Sequence, residues 1–264
     1  MPLIDTHCHY NLEPLYSNWP NHLAQALENG VAQSIIVGAG LRSSQKAVEI
    51  AQKENKLYAA VGIHPERSLK ITDLNQSLDQ LEKIAQNKKV VAIGEIGLDY
   101  FHLEKSQAQK DLFIGQISLA KRLNLPIILH VRDKEEAAYF ETLEVLEKHW
   151  HFKKAVVFHC VSGPLKYVKK ALDYPNSYFG FDGNITFKNA DHLREIFQLV
   201  QKTAPHKILL ETDAPYLAPV PWRGQLCEPK MIAQTAKYLS ENFQLDLNKV
   251  YQNSLDAFTL SYKL

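Results

Sequence analysis

Eight short runs of β-branched and aliphatic residues punctuate the chain, and most of the stretches between them space apolar positions three or four residues apart. The first run, Leu3-Ile4, leads into Asp5-Thr6-His7-Cys8-His9. The next are Ser34 to Val37, Leu57 to Ile63, Val90 to Gly94, Ile127 to His130 and Ala155 to His159. A weaker seventh lies within Tyr178 to Phe181, and Ile208 to Glu211 is the eighth. Between them the spacing predicts a helix around His22 to Glu28 and one carrying Ala47, Ile50 and Ala51, with Ser43 or Ser44 as its cap. Further helices carry Leu74, Leu78, Leu81 and Ala85; Leu112, Gln116, Leu119 and Ala120; Tyr139, Leu143, Leu146 and Trp150; and Leu193, Ile196, Phe197 and Val200. Glu228 to Phe243 and Leu247 to Phe258 read as closing helices.

Alternation of this kind means parallel strands with crossover helices, closed as a barrel or opened as a doubly wound sheet. Eight strands favour the barrel. So do the polar residues at the C-terminal ends of strands one, three, four, five, six and eight, because only a closed ring brings those ends to one mouth. The expectation is a single (β/α)8 TIM-barrel domain over residues 1–264, with no linker or repeat.

Charge narrows the function. Thirty basic and 29 acidic residues leave a net charge of +1, so no field over the whole molecule attracts nucleic acid or an anionic membrane. Any grip on phosphate must be local, made of few contacts and only weakly dependent on salt. The three cysteines, Cys8, Cys160 and Cys227, lack C-x-x-C spacing, which suits a reducing compartment. No signal-like segment or apolar run of membrane-spanning length is present, and the expectation is a cytoplasmic protein with no membrane partner.

The chemistry lies at the strand ends. The two-residue period of a strand turns His7 and His9 to one side, and later strands bring Glu95, His130, His159 and Asp213 to equivalent positions. Four imidazoles and two carboxylates are the ligand types for zinc or divalent first-row metals, and six exceed the needs of one tetrahedral ion. Two ions are therefore expected, bridged by Glu95, with a shared activated water and hydrolytic chemistry. Each residue alone also has a plain reading: His130 or His159 as a hydrogen-bonded core residue, Asp213 as a turn cap. Six coincidences at equivalent positions favour a shared site. His64, before Pro65, reads as a substrate contact or a turn residue. Cys8 and Cys160 should face the core, and Asp5 should support the site from deeper in the barrel.

The chain resembles the TatD-type metal-dependent deoxyribonucleases of the amidohydrolase superfamily. The resemblance rests on Asp5-Thr6-His7-Cys8-His9, Gly62-Ile63-His64-Pro65, Gly94-Glu95-Ile96-Gly97-Leu98-Asp99-Tyr100, Leu129-His130-Val131-Arg132, Phe158-His159-Cys160-Val161-Ser162-Gly163, Leu210-Glu211-Thr212-Asp213-Ala214-Pro215-Tyr216 and Pro221-Trp222-Arg223-Gly224. It implies that His7, His9, Glu95 and Asp213 hold one metal, while Glu95, His130 and His159 hold the other. It also implies Mg2+ or Mn2+ for activity, although imidazoles leave Zn2+ open in the purified protein. The expected function is 3'-5' exonuclease action on single-stranded DNA by a monomer. Asp213 and Glu95 would be catalytic, and His64, Arg132 and Arg223 would contact substrate. The chain departs from the family pattern at Gln225-Leu226-Cys227, where basic residues and an Asn are usual, and at Val161, where a Phe is expected. The rival readings are hydrolysis of another ester or amide, such as an aminoacyl-tRNA ester, and a non-catalytic nucleic-acid-binding adaptor.

Overall fold

The computed structural model describes residues 1–260. The last four positions of the expected domain lie outside the described residues. Eight parallel strands, β1 (Leu3–Cys8), β2 (Val31–Val37), β3 (Leu57–Val61), β4 (Val90–Asp99), β5 (Ile127–Arg132), β6 (Val156–Phe158), β7 (Ser177–Phe181) and β8 (Ile208–Leu210), pair in chain order. The ring closes just past the end of β8, where Cys8 bridges Ala214 in parallel. At this seam the Asp213 N–H donates to the His7 carbonyl at 2.9 Å and the His9 N–H to the Ala214 carbonyl at 2.8 Å.

Alternation along each strand sorts the core into two parts. Ile36, Val61, Leu129, Phe158 and Leu210 belong to the large cluster shared with the surrounding helices. Ile35, Val37, Ala60, Ile128, Val157 and Leu209 form a smaller cluster, the barrel interior, which Ala257 and Phe258 join. Those two residues come from the last helix, which packs on β1 and β8.

The helices are α1 (Trp19–Glu28), α2 (Leu41–Lys53), α3 (Leu74–Ala85), α4 (Gln107–Leu123), α5 (Ala137–His149), α6 (Leu165–Leu172), α7 (Asp191–Thr203), α8 (Ile232–Phe243) and α9 (Leu247–Phe258). Among the described residues, none is long and apolar enough to cross a membrane.

Three sequence expectations need correction. Neither Ser43 nor Ser44 caps α2; Gly40 holds that position without any side-chain cap. Ser43 Oγ instead accepts from the Ala39 N–H, and Ser44 Oγ both accepts from the Gly62 N–H and donates to the Gly62 carbonyl, fastening the start of α2 to the end of β3. Helix α6 was not expected, because Lys166, Lys169 and Lys170 dilute the apolar stripe of Tyr167, Val168 and Ala171 in a helix of only 8 residues. Finally, β4 does not stop at Gly94. It continues to Asp99 and places Glu95 inside the strand, where its register against β5 shifts between Ile93 and Ile96.

Candidate metal centre

The end of β1 and the seam build one half of the site. Cys8 points away, its Sγ donating to the Ile35 carbonyl at 3.4 Å, so His7 and His9 turn inward together. Their Nε2 atoms lie 3.3 Å apart. His9 is oriented by its Nδ1–H, which donates to the Val37 carbonyl at 2.8 Å, leaving Nε2 as the inward lone pair. Asp213 Oδ1 stands 3.3 Å from His9 Nε2 and 3.7 Å from His7 Nε2. The Asp213 backbone is left-handed, with φ of 52°, and its N–H is held by the His7 carbonyl. Asp5 acts beneath them: its carboxylate accepts from the His7 N–H and from both the N–H and hydroxyl of Thr212. This is a strut between β1 and the segment after β8, in line with the supporting role expected for it.

Glu95 joins this half to the other. Its Oε2 faces His7 Nε2 at 3.7 Å, while its Oε1 lies 2.8 Å from His130 Nδ1 and 3.8 Å from both His64 Nε2 and His159 Nε2. The His159 ring stacks on His7 with centroids 3.5 Å apart, and His64 meets His130 edge-on at 4.2 Å. His64 Nδ1 accepts from the Glu66 N–H, which leaves its Nε2–H directed towards Glu95.

Two carboxylates that sequence reasoning did not single out orient the imidazoles from behind. Glu211, fully buried, accepts from His159 Nδ1 at 2.8 Å and from the Cys160 N–H at 2.6 Å. Asp99 Oδ2 lies 2.9 Å from His130 Nε2 and 2.8 Å from His102 Nδ1. A signal for them existed in the two-residue strand period, which puts Asp99 on the face of Glu95 and Glu211 on that of Asp213. Glu211→Gln should therefore keep the fold but weaken metal binding about 10- to 100-fold, as loss of an outer partner to a ligating imidazole does. Calorimetric titration of chelator-treated protein checks this; unchanged affinity would show that His159 needs no such partner. Cys160 also departs from expectation. It is only partly buried, at φ of 43°, and its Sγ accepts from Asn184 Nδ2 rather than packing in the core.

The site's electrostatics suit cations. Burial alone would raise the Glu95 pKa, yet the His64 and His130 imidazoles hold it well below the usual carboxylate range. Burial, assisted by the His159 ring, holds His7 well below the usual imidazole range, and burial brings His64 to about 4. Burial opposes charge on His159, but Glu211, Asp213 and Glu95 together outweigh it and lift that pKa to about 10. A cation placed among these groups competes with protons, so apparent metal affinity should rise with pH. The donor set itself fits a metal: His7, His9 and Glu95 form one group whose ligand atoms lie within 4.8 Å of one another, as do His7, His159 and Asp213, and His64, Glu95 and His130.

All six expected metal ligands are thus gathered at one mouth, with His64 beside them. Arg132 and Arg223 are not in the cluster. Both are exposed, Arg132 stacked on Phe101 and Arg223 on Phe187, each at 4.4 Å from the ring centroid.

The family model for TatD related DNase matches residues 4–263. The chain belongs to this family. Among curated relatives, it is 32% identical to an uncharacterized metal-dependent hydrolase of Bacillus subtilis, YabD, over 94% of each chain. It is 35% identical to one from Mycoplasma pneumoniae over 96% of each chain. Of solved structures, the Escherichia coli TatD homolog YjjV superposes with a TM-score of 0.85 at 29% identity, covering 98% of both chains. As a TatD-family protein the chain is a metal-dependent hydrolase on a TIM barrel.

Proposed function

We propose that this TatD-family hydrolase cleaves phosphodiester bonds of DNA, as a 3'-5' exonuclease on single strands, with two divalent cations at the barrel mouth. The observation that supports it best is the position of Glu95, one carboxylate facing His7 with Oε2 and His130 with Oε1. His7, His9, Glu95 and Asp213 would hold one cation; Glu95, His130 and His159 the other. Once bound, such cations lower the pKa of water towards neutrality and stabilise negative charge developing on phosphate oxygens.

The protein's own groups divide the remaining work. Asp213, whose side chain is 16% exposed at the rim, would take the proton from the attacking water while staying fixed by the seam. His64 stays neutral and presents Nε2–H as a donor to a phosphate oxygen. Glu211 and Asp99 hold the imidazole planes so that neither ring has to reorient during turnover. Arg132 and Arg223 stand outside this cluster, stacked on aromatic rings, where a guanidinium can meet a phosphate of the strand beyond the scissile bond.

The test is nucleotide release from end-labelled single-stranded DNA in Mg2+, Mn2+, Zn2+ or chelator. Metal-dependent release supports the reading, and the label that leaves first gives the polarity. A metal-loaded protein that releases no nucleotide would remove DNA as substrate and make aminoacyl esters the next to try.

A further inference from the structure

Beside the metal centre lies a cavity of about 510 Å³, lined among others by Asn11, Glu13, Gly40, Arg42, Lys46 and Arg67. It opens where the chain leaves β1, β2 and β3, at the same mouth. A single carbonyl ties it to the site: Val37 O accepts from both His9 Nδ1 at 2.8 Å and Asn11 Nδ2 at 3.0 Å. Arg67 follows His64 by three residues, and its N–H donates to the His64 carbonyl.

The cavity concentrates positive charge in a chain whose net charge is only +1. Three cations face one carboxylate, Glu13, and that carboxylate already accepts from the N–H and hydroxyl of Ser17. The cations are placed rather than loose. Arg67 Nε donates to the Ala39 carbonyl at 2.5 Å, laying the guanidinium across the start of α2. A Cβ at Gly40 would stand 2.7 Å from Arg67 Nε, so glycine is what makes room for that approach. Lys46 Nζ rests 3.6 Å over the Tyr16 ring. Helix α2 points its first turn here with neither a side-chain cap nor an acidic residue, and so adds partial positive charge of its own. The charge, the shape and the position beside the catalytic mouth agree on an anion carried by something that also reaches the metals.

We propose that this cavity is a phosphate subsite for the polynucleotide backbone, gripping the strand one or more units away from the bond being cut. This rests on the phosphodiesterase reading above and deepens it. The enzyme would then favour oligomers over any substrate that fills only the metal centre, and a strand would be held at two points.

The experiment compares a single-stranded 15-nucleotide oligomer with bis(p-nitrophenyl) phosphate, a diester too small to reach both places, for the wild type, Arg42→Glu and Arg67→Gln. Arg42 is exposed, so its reversal tests the subsite without disturbing packing. The expected result is at least an approximately tenfold fall in the ratio of oligomer to small-diester kcat/KM, carried by KM. The slope of log affinity against log salt should also become shallower by about one for each cation neutralised. Oligomers with and without a 5'-phosphate separate the two sources of the anion. Loss on both forms assigns an internal diester, and loss on the phosphorylated form alone assigns a terminal monoester; either supports a phosphate subsite. An unchanged ratio overturns the proposal, as does an equal fall on both substrates. If the wild type cleaves the small diester but no oligomer, the DNA reading fails by itself. Anisotropy of a fluorescein-labelled 15-mer then decides the subsite, weaker binding by Arg42→Glu supporting it and equal binding overturning it.

Discussion

Asp213→Asn should leave a folded, metal-retaining protein whose hydrolytic rate has fallen by about 10³- to 10⁴-fold. The substitution is nearly isosteric and sits at a rim position, with the backbone bond from Asp213 N–H to His7 O untouched. An amide oxygen can still face His9 Nε2 at the 3.3 Å now occupied by Oδ1, so metal content should change little. What disappears is a carboxylate able to accept a proton. A purely structural role would instead lower metal content and rate together. Metal analysis beside single-turnover kinetics separates these outcomes, and near-normal turnover in the variant would remove Asp213 from the mechanism.

Glu95→Gln should be at least as damaging, by a different route. Glu95 is almost fully buried among His7, His64, His130 and His159, and its negative charge suits the pocket to cations. Replacing it with an amide removes that charge and directs an N–H₂ group at one of its partners. The expected outcome is loss of at least one cation per chain and a fall in rate of about 10³-fold or more. The metal-free variant should also be less stable than the metal-free wild type, because imidazoles that hold the Glu95 pKa below the usual carboxylate range in spite of burial make its charge favour the folded state. Thermal unfolding in chelator checks that sign; an unchanged or raised midpoint would mean that the desolvation cost of Glu95 outweighs its imidazole partners.

Why the site was legible in the chain, and where it was not, follows from the physics of parallel strands. A strand buried on both faces is a nearly unbroken apolar run, so a polar residue at its end stands out, as His7, His9, His130 and His159 do. Glu95 was found by the same contrast, but its place within β4 was hidden. Strand β4 does not become polar there, running on through Ile96 and Leu98, and its register with β5 shifts at that point. Asp99 and Glu211 were missed because each follows or precedes a more conspicuous neighbour. Their role depends on which imidazole lies across the barrel, which only the ring closure decides. The cap of α2 was misread for a related reason: Ser43 and Ser44 are typical capping residues, yet their hydroxyls are occupied by Ala39, Gly40 and Gly62.

The seam between β1 and the segment after β8 joins residues near the start of the chain to residues more than two hundred positions later, through only a handful of backbone bonds. His7 and His9 stand on one side of it and Asp213 on the other. Any cation shared by the three is therefore also a cross-link that closes a very long loop, and its binding energy is spent on the native state alone. The amides of His9 and Asp213 should exchange with deuterium more slowly in metal-loaded protein, and the thermal midpoint should rise with free metal concentration. In this barrel the catalytic ions would serve as the clasp that keeps the first strand fastened to the segment after the last.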